Sequence, residues 1–355
     1  MIHLFNPEND LALGLGCRHY TPPPHAAALH RAGALLPLWW AEEGDIVVAP
    51  ESLRDEAGAL REKFGLYGDI FAPGCGYGEP APWGWSLDAV RQFRNAGVDE
   101  AVLPPDEAVE RMRRISHRRS AIGLLAGLGD EYPRGEEFTD ASAALSRCRA
   151  SDSYVKSPWS GSGRGVFCSS ALGRDALRRR LEGIIHRQGS VIVEPALCKI
   201  LDFAALFYSN ACGVAFRGLS VFQTESQGMY AGNIVARQED LRRIIGEAGV
   251  SCMAELSDVI PRLGILLSRL VGDVYKGWLG IDMMIYRDSS GAVRLMPCVE
   301  LNLRMTMGVV AMKIADRLQP ESPCRLLWLH NSPAGAPDTV LLPPAEGFTL
   351  ILRKF

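Results

Sequence analysis

The first third of the chain alternates between short apolar runs and segments with helical periodicity. The apolar runs at 2–5, 45–50, 69–71 and 101–103 have the length of strands, and the charged segment at 53–64 has the spacing of an amphipathic helix. Strands that alternate with helices form a parallel sheet with helices packed on its faces. The sequence therefore predicts an α/β domain at the amino-terminal end.

Polar residues follow the first of these strands. Glu8, Asn9 and Asp10 come soon after the apolar run at 2–5. Open α/β sheets bind ligands at the carboxyl ends of their strands, so these side chains are candidates for substrate contact. They are equally suited to forming the turn alone, and the sequence leaves both interpretations open.

The pattern changes after residue 106. A helical stretch extends from 106 to 128 with an interruption near Ser116, and we place the first domain boundary at residue 115. Strands at 203–208 and 214–223 follow each other closely, which favours antiparallel pairing. The other predicted elements are strands at 152–156 and 191–195 and helices at 175–188, 237–247, 256–274 and 305–318.

The stretch around Glu300 and Asn302 carries the strongest chemical signal. The two residues stand two positions apart in an apolar segment that begins near Val293. Side chains at i and i+2 leave the same face of a strand, so a carboxylate and an amide oxygen point together. Such oxygen ligands suit Mg²⁺, which proteins hold with one or two carboxylates plus substrate phosphates. Arg304 has the same parity, which favours a site for a nucleotide triphosphate.

A second acid, Asp282, lies in the preceding apolar run. The turn-rich segment at 287–291 predicts a hairpin between the two runs. We predict a register with Asp282 opposite Cys298, which puts Asp282 on the same face as Glu300 and Asn302. The alternative is a hairpin that carries ordinary solvated acids.

A loop rich in glycine and serine follows a strand that ends in a lysine. The strand at 152–156 ends at Lys156 and leads into the loop at 157–165. Backbone N–H groups in such a loop bind phosphate oxygens, and we expect Lys156 to add a positive charge from a wet cleft. An ordinary Gly/Ser turn is the alternative. The Gly-rich stretch at 74–78 precedes prolines rather than a helix, so it does not match a dinucleotide-binding fingerprint.

Composition narrows the class of protein. A length of 355 residues predicts two or three domains, and a net charge of -3 provides no basic footprint for nucleic acid. The nine cysteines show neither zinc spacing nor a disulfide framework, and the amino terminus lacks a secretory pattern. No apolar run approaches the roughly 20 residues of a membrane span. We therefore expect a cytoplasmic protein without nucleic-acid or membrane partners.

The order of these features resembles that of the ATP-grasp superfamily over roughly residues 110 to 320. The matching pieces are Lys156 with its Ser/Gly loop, V-I-V-E-P-A-L at 191–197 followed by a carboxylate, G-I-D-M-M-I-Y at 280–286 and V-E-L-N-L-R-M-T-M-G at 299–308. The resemblance implies a mixed α/β and α+β fold. The implied layout is a Rossmann-like parallel-sheet domain at 1–115, a small ATP-grasp subdomain at 116–195 and a large subdomain with the metal site at 196–320. The role of 321–355 stays open.

The resemblance also implies a role for individual residues. Lys156 and Arg304 are the expected catalytic residues, at the α/β-phosphates and at the γ-phosphate or activated acyl group. Family members usually carry a lysine at the start of the module. Here Arg118 and Arg119 stand there. Arg118 is the expected phosphate ligand, and which of the two arginines contacts phosphate stays open. The other expected ligands are Ser160, Gly161, Ser162, Gly163 and Gly165 for the triphosphate, Glu194 and Leu197 for adenine, Asp202 for the ribose, and Asp282, Glu300 and Asn302 for the metal.

The activity implied by the resemblance is that of an ATP-dependent ligase. ATP and Mg²⁺, with Mn²⁺ as an alternative metal, would convert a carboxylate into an acyl phosphate, which an amine or thiol then attacks. The open alternatives are a small-molecule kinase on the same fold and a nucleotide-binding protein without turnover. The expected partners are a small-molecule carboxylate and an amine, and a homodimer stays open. The sequence does not identify the substrates.

Overall fold

A computed structural model of the chain describes residues 1–71, 78–161, 165–225 and 229–355. The Gly-rich stretch at 74–77 and the expected ligands Ser162 and Gly163 lie outside the described residues. The chain divides into two compact units, each of which is continuous in space but not in sequence. Unit 1 comprises Met1–Arg113, Ala231–Leu241 and Leu303–Phe355, and unit 2 comprises Arg114–Tyr230 and Arg242–Asn302.

Most of the predicted helical segments are helices in the structure, whereas the helices at Asn9–Leu15 and Ala141–Ala150 were not predicted. The interruption near Ser116 separates two helices, as the sequence predicts. The α-helices are α1 (Asn9–Leu15), α2 (Pro24–Ala32), α3 (Arg54–Phe64), α4 (Leu87–Ala96), α5 (Asp106–Ile115), α6 (Arg119–Leu128), α7 (Ala141–Ala150), α8 (Arg174–Gln188), α9 (Gln238–Ala248), α10 (Met253–Val271) and α11 (Met307–Leu318).

The strands are short in the first third of the chain and longer after residue 190. They are β1 (Ile2–Leu4), β2 (Ile46–Val47), β3 (Asp69–Ile70), β4 (Pro80–Pro82), β5 (Glu136–Phe138), β6 (Ser153–Lys156), β7 (Val166–Cys168), β8 (Val191–Pro195), β9 (Cys198–Asn210), β10 (Gly213–Thr224), β11 (Tyr230–Val235), β12 (Gly277–Arg287), β13 (Val293–Asn302), β14 (Cys324–His330), β15 (Thr339–Ala345) and β16 (Phe348–Lys354).

Unit 1 contains the parallel sheet that the amino-terminal pattern predicts. Its strand order is β3-β2-β1-β4, and all three pairings are parallel. Ile2 and Leu4 of β1 share a buried cluster with Val90 and Phe93 of α4. The hydroxyl of Ser86 accepts a hydrogen bond from the Ala89 backbone N–H and caps that helix. The prediction of an α/β domain is confirmed.

The strand predicted at 101–103 is wrong. The segment Glu100–Val102 is a short 3₁₀ helix, because the Asp99 carboxylate accepts a hydrogen bond from the Ala101 backbone N–H and starts a turn. Only Leu103 of the apolar run is buried, whereas Val102 is 45% exposed. A single buried side chain provides too little apolar contact to hold a strand against the sheet.

The carboxy-terminal segment 321–355 is also part of unit 1. It forms β14, β16 and β15, which continue from β11 as an antiparallel array in the order β11-β14-β16-β15. Leu326, Leu350 and Ile351 are fully buried in this array. The segment therefore adds strands and core to unit 1.

Unit 2 contains two antiparallel arrays. The smaller has the order β5-β8-β6-β7 and packs against α7 and α8 around Leu145, Leu181 and Val193. The larger has the order β13-β12-β9-β10, with paired strands throughout. Phe203 and Phe207 of β9 and Leu263 of α10 are fully buried in this unit. Among the described helices of both units, none is long and apolar enough to span a membrane.

Candidate functional site

The β12–β13 hairpin of unit 2 carries the three expected metal ligands. Asp282 pairs with Glu300 and Gly280 pairs with Asn302, so all three side chains leave one face of the sheet. Asn302 is buried, Asp282 is half-buried and the Glu300 side chain is 22% exposed. Two carboxylates and one amide oxygen are therefore gathered on one patch.

The predicted register is right at one end of the hairpin and wrong at the other. Tyr286 pairs with Arg294 and Met284 with Met296, as predicted, but Asp282 lies opposite Glu300 instead of Cys298. The shift occurs at an irregularity in which β13 carries two extra residues. Pro297 lies there and has no N–H to donate to the ladder. A shift of two keeps side-chain parity, so the shared face survives the error.

The oxygen set fits Mg²⁺ better than a metal that prefers imidazole or thiolate ligands. Within the described ranges, no group of three or more His, Cys, Asp or Glu side chains could hold a metal ion. Asp282, Glu300 and Asn302 would supply a partial shell only. A partial shell of this kind is usual for Mg²⁺, which takes its other ligands from water and substrate phosphates.

Arg118, immediately before α6, forms an ion pair with Glu300 of this patch. Its Nη1 lies 2.7 Å from Oε2 of Glu300, and its side chain is 5% exposed. The other edge of the guanidinium holds the base of the Ser/Gly loop. Nε donates to the Ser157 carbonyl at 2.9 Å, and Nη2 donates to the Ser160 hydroxyl at 3.1 Å and carbonyl at 3.4 Å. Arg119 is instead 55% exposed and lies 3.5 Å from Glu137.

The base of the Ser/Gly loop is ordered by its own backbone. The Ser157 N–H donates to the Gly165 carbonyl at 2.9 Å, which closes the loop. Gly165 has φ +77°, and a Cβ there would lie 2.8 Å from the Ser157 hydroxyl, so glycine is required. Trp159 packs edge-on against His117 and exchanges backbone hydrogen bonds with the Gln188 amide. Ser160 and Gly161 follow directly.

Lys156 does not face a wet cleft, and that expectation is wrong. Its Nζ lies 2.5 Å from the Glu194 carboxylate, and the lysine side chain is 8% exposed. The cause is strand pairing: Lys156 pairs with Ile192 on the neighbouring strand, and Glu194 two residues further shares that face. The residues expected at phosphate and at adenine are therefore an ion pair.

The remaining expected nucleotide contacts lie at the start of β9. The Asp202 carboxylate accepts hydrogen bonds from Lys199 at 2.6 Å and from the Thr224 hydroxyl at 2.8 Å. Leu197 is half-buried in the two-residue link between β8 and β9. Lys199 and Thr224 are contacts that sequence reasoning missed. Lys199 is detectable in principle as an i, i+3 partner, but Thr224 is on another strand.

Cys298 was also missed as a member of this patch. It is 1% exposed on β13, and burial together with the nearby Asp282 and Glu194 carboxylates raises the pKa of its thiol well above the usual range. A thiol held protonated is a poor nucleophile. Sequence reasoning used Cys298 only as a marker of register.

This burial predicts slow alkylation of Cys298 in the native protein. Iodoacetamide at neutral pH, followed by peptide mass spectrometry, should label the exposed Cys17, Cys198 and Cys212 while Cys298 stays unlabelled. Cys298 should react once the protein is unfolded in denaturant. Native labelling of Cys298 at the rate of the exposed thiols would contradict its placement.

Arg304 belongs to unit 1, where it forms a bidentate ion pair. Its Nη2 and Nε lie 2.7 and 3.0 Å from Oδ2 of Asp10, and Nη1 donates to the Met305 carbonyl at 3.1 Å. Both side chains are mostly buried, at 15% and 17% exposure. Such a fork holds the guanidinium plane in one orientation.

The polar residues after β1 are thus part of a structured corner of unit 1. Asn9 begins α1, and Glu8 lies 2.9 Å from the His30 imidazole. Asn6 exchanges hydrogen bonds with the Gly84 backbone at 2.9 and 3.3 Å. Asn6, Glu8 and Asn9 are themselves buried, so they form part of the folded corner at the carboxyl end of β1. Substrate contact by this corner stays a prediction.

Solved structures resemble this chain in fold, whereas comparisons of sequence find no match. No family model matches the sequence, and no curated protein sequence matches it. The N5-carboxyaminoimidazole synthetase of Staphylococcus aureus, solved with ADP, superposes with a TM-score of 0.54 at 11% identity, covering 99% of this chain and 92% of that one. The corresponding ribonucleotide synthetase of Thermus thermophilus gives 0.52 at 13% identity, covering 100% and 94%.

A second kind of enzyme gives an equal score. The biotin carboxylase–β,γ-ATP complex of Campylobacter jejuni superposes with a TM-score of 0.54 at 12% identity, covering 99% of this chain and 86% of that one. These likenesses span the whole chain, and they show that it shares the overall fold of these enzymes. The expected fold class is confirmed: the chain has a mixed α/β fold with a four-stranded parallel sheet and larger antiparallel arrays. At such low identity the likeness concerns the fold alone.

Proposed function

We propose that this protein is an ATP-dependent ligase that activates a carboxylate as an acyl phosphate for attack by an amine. One observation of unit 2 carries the proposal. Two buried cations, Arg118 and Lys156, lie beside carboxylates at the base of a glycine-rich loop, and an oxygen-ligand set occupies one face of the adjoining hairpin. The two cations suit the negative charge of a triphosphate, and the oxygen ligands suit Mg²⁺.

The mechanism follows from the charge that each residue can supply. Asp282, Glu300 and Asn302 would hold Mg²⁺, which neutralises phosphate charge when bound. Lys156 and Arg118 would bind phosphate oxygens, and the backbone N–H groups of the loop would orient them. Phosphoryl transfer depends mainly on such positioning and electrostatics. Arg304 of unit 1, whose guanidinium Asp10 holds in one orientation, stays the predicted group for stabilising charge on the transferring phosphoryl.

The adenosine contacts are proposed for the strand ends next to the ion pair. Glu194 and Leu197 flank the short link between β8 and β9, where backbone groups can hydrogen bond the adenine edge. Asp202 would accept hydrogen bonds from the ribose hydroxyls, in place of those it now accepts from Lys199 and Thr224. The similar solved structures include a complex with ADP and a β,γ-ATP complex, which supports the proposal of a nucleotide-binding site in this fold.

Product analysis tests the ligase proposal directly. Amino acids and small carboxylates are screened for ADP release with and without an amine acceptor. A ligase releases ADP and free phosphate together, and only when both substrates are present. ADP with a stable phosphorylated product would instead identify a kinase. Absence of ADP release in the presence of tight ATP binding would indicate a nucleotide-binding protein without turnover.

Nucleotide binding should also raise thermal stability. A ligand that binds only the folded state adds RT ln(1+[L]/Kd), which is about 2.7 kcal/mol at about 100 Kd. A melting scan with millimolar ATP and Mg²⁺ should therefore show a clear upward shift. GTP should shift it less, because the 194–197 segment is proposed to recognise adenine. No shift with either nucleotide would argue against the whole proposal.

A further inference from the structure

The ion pair between Arg118 and Glu300 joins two residues that a nucleotide complex would need for different partners. Glu300 is proposed as a ligand of the divalent cation, and Arg118 as a ligand of phosphate. In this structure Nη1 of Arg118 lies 2.7 Å from Oε2 of Glu300, with the arginine side chain only 5% exposed. Each residue therefore has its charge balanced inside the protein, by the other.

We propose that Arg118 and Glu300 are mutual counter-charges that make nucleotide and metal bind as a single complex. This inference rests on the proposed function. A divalent cation alone at Glu300 would sit beside a guanidinium, and a metal-free triphosphate at Arg118 would sit beside a carboxylate. Like charges at such spacing repel in a partly buried site. When the cation and the triphosphate bind together, the cation pairs with Glu300 and the phosphate pairs with Arg118. The charges of Glu300 and Arg118 then both stay balanced.

The arginine at this position is suited to such an exchange. A guanidinium has five N–H donors in a planar fork, whereas a lysine ammonium is a single point charge. Nε and Nη2 of Arg118 bind the carbonyls of Ser157 and Ser160, and Nη1 is directed to Glu300. The loop carbonyls would therefore keep the guanidinium in place after Glu300 turns to the cation. The positive charge stays at the base of the phosphate loop.

The test measures ATP binding without metal. Isothermal titration with ATP in EDTA should detect weak binding to the natural protein. Glu300→Gln removes the competing carboxylate and should bind metal-free ATP at least about tenfold more tightly, which is the lower range for coupling between close charges. Added Mg²⁺ should improve ATP affinity less in this variant than in the natural protein. The control is Glu136→Gln, the same change in an ion pair with Arg147 on the surface of unit 2. It should leave both affinities unchanged.

The reciprocal test uses Mn²⁺ alone, followed by electron paramagnetic resonance in the absence of nucleotide. Arg118→Gln removes the guanidinium charge, so Mn²⁺ should bind about tenfold more tightly than in the natural protein. If Arg118→Gln does not fold because the loop base loses its anchor, the Glu300→Gln titration decides by itself.

The outcomes separate this inference from the proposed function. Suppose that the natural protein binds Mg-ATP, but that Glu300→Gln and the natural protein have the same affinity for metal-free ATP. The counter-charge inference is then overturned and the nucleotide site stands. If the natural protein binds neither Mg-ATP nor metal-free ATP at millimolar concentration, the proposed function fails, and this inference fails with it. Tighter metal-free binding in Glu300→Gln together with unchanged binding in Glu136→Gln supports the inference.

Discussion

Glu300→Gln is expected to lower ligase turnover by about 10²–10³-fold, the usual effect of removing one preorganised electrostatic group. Glutamine keeps the shape of the side chain but loses the negative charge that a divalent cation requires. The variant should still fold but with lower stability, because Arg118 loses the charge that balances it while keeping its hydrogen bonds to Ser157 and Ser160. The measurement is steady-state ADP release at saturating substrates, accompanied by a melting scan.

Metal dependence distinguishes this explanation from a general defect. Turnover of Glu300→Gln should recover in part at high Mg²⁺ or Mn²⁺, because the loss would be one of metal occupancy. Glu136→Gln should retain the natural rate. The same Glu300 variant is expected to bind metal-free ATP more tightly while it turns over more slowly, an opposition that simple misfolding does not produce. A turnover rate within about twofold of the natural protein would exclude Glu300 from the metal site.

Lys156→Ala is expected to impair nucleotide binding and to destabilise the protein. Removing one partner of a buried ion pair typically costs about 3–5 kcal/mol, because the other charge is left without compensation. Glu194 remains 22% exposed, so the loss should lie near the lower end of that range. Urea unfolding measures the stability, and titration with Mg-ATP measures the binding.

A double variant separates the two effects of this change. Lys156→Met/Glu194→Gln carries no net charge at the pair and should recover much of the lost stability, since the uncompensated carboxylate is gone. ATP binding should stay weak in the double variant, because the phosphate-binding cation is still missing. Recovery of both properties would show that Lys156 acts only through the folding of β6 and β8.

The spacing of residues along the chain was sufficient to predict that the proposed metal ligands share one face of the hairpin. Side chains on a strand alternate with period two, so Glu300 and Asn302 share a face in any register, and Asp282 joined them although its partner was mispredicted by two residues. Long helices were equally accessible, because a 3.6-residue period over ten or more positions is a strong local signal. The resemblance to ATP-grasp proteins used the same local motifs.

Only the tertiary structure decided which charges compensate each other. Arg304 pairs with Asp10, 294 residues away, and Arg118 pairs with Glu300 on a distant strand of unit 2. The type of short elements was also not predictable from the sequence, as the 3₁₀ helix at Glu100–Val102 shows. Local periodicity determines which face a side chain occupies, because the backbone repeats within a few residues. The partner of a buried charge depends on how separate segments pack, and no local pattern records that.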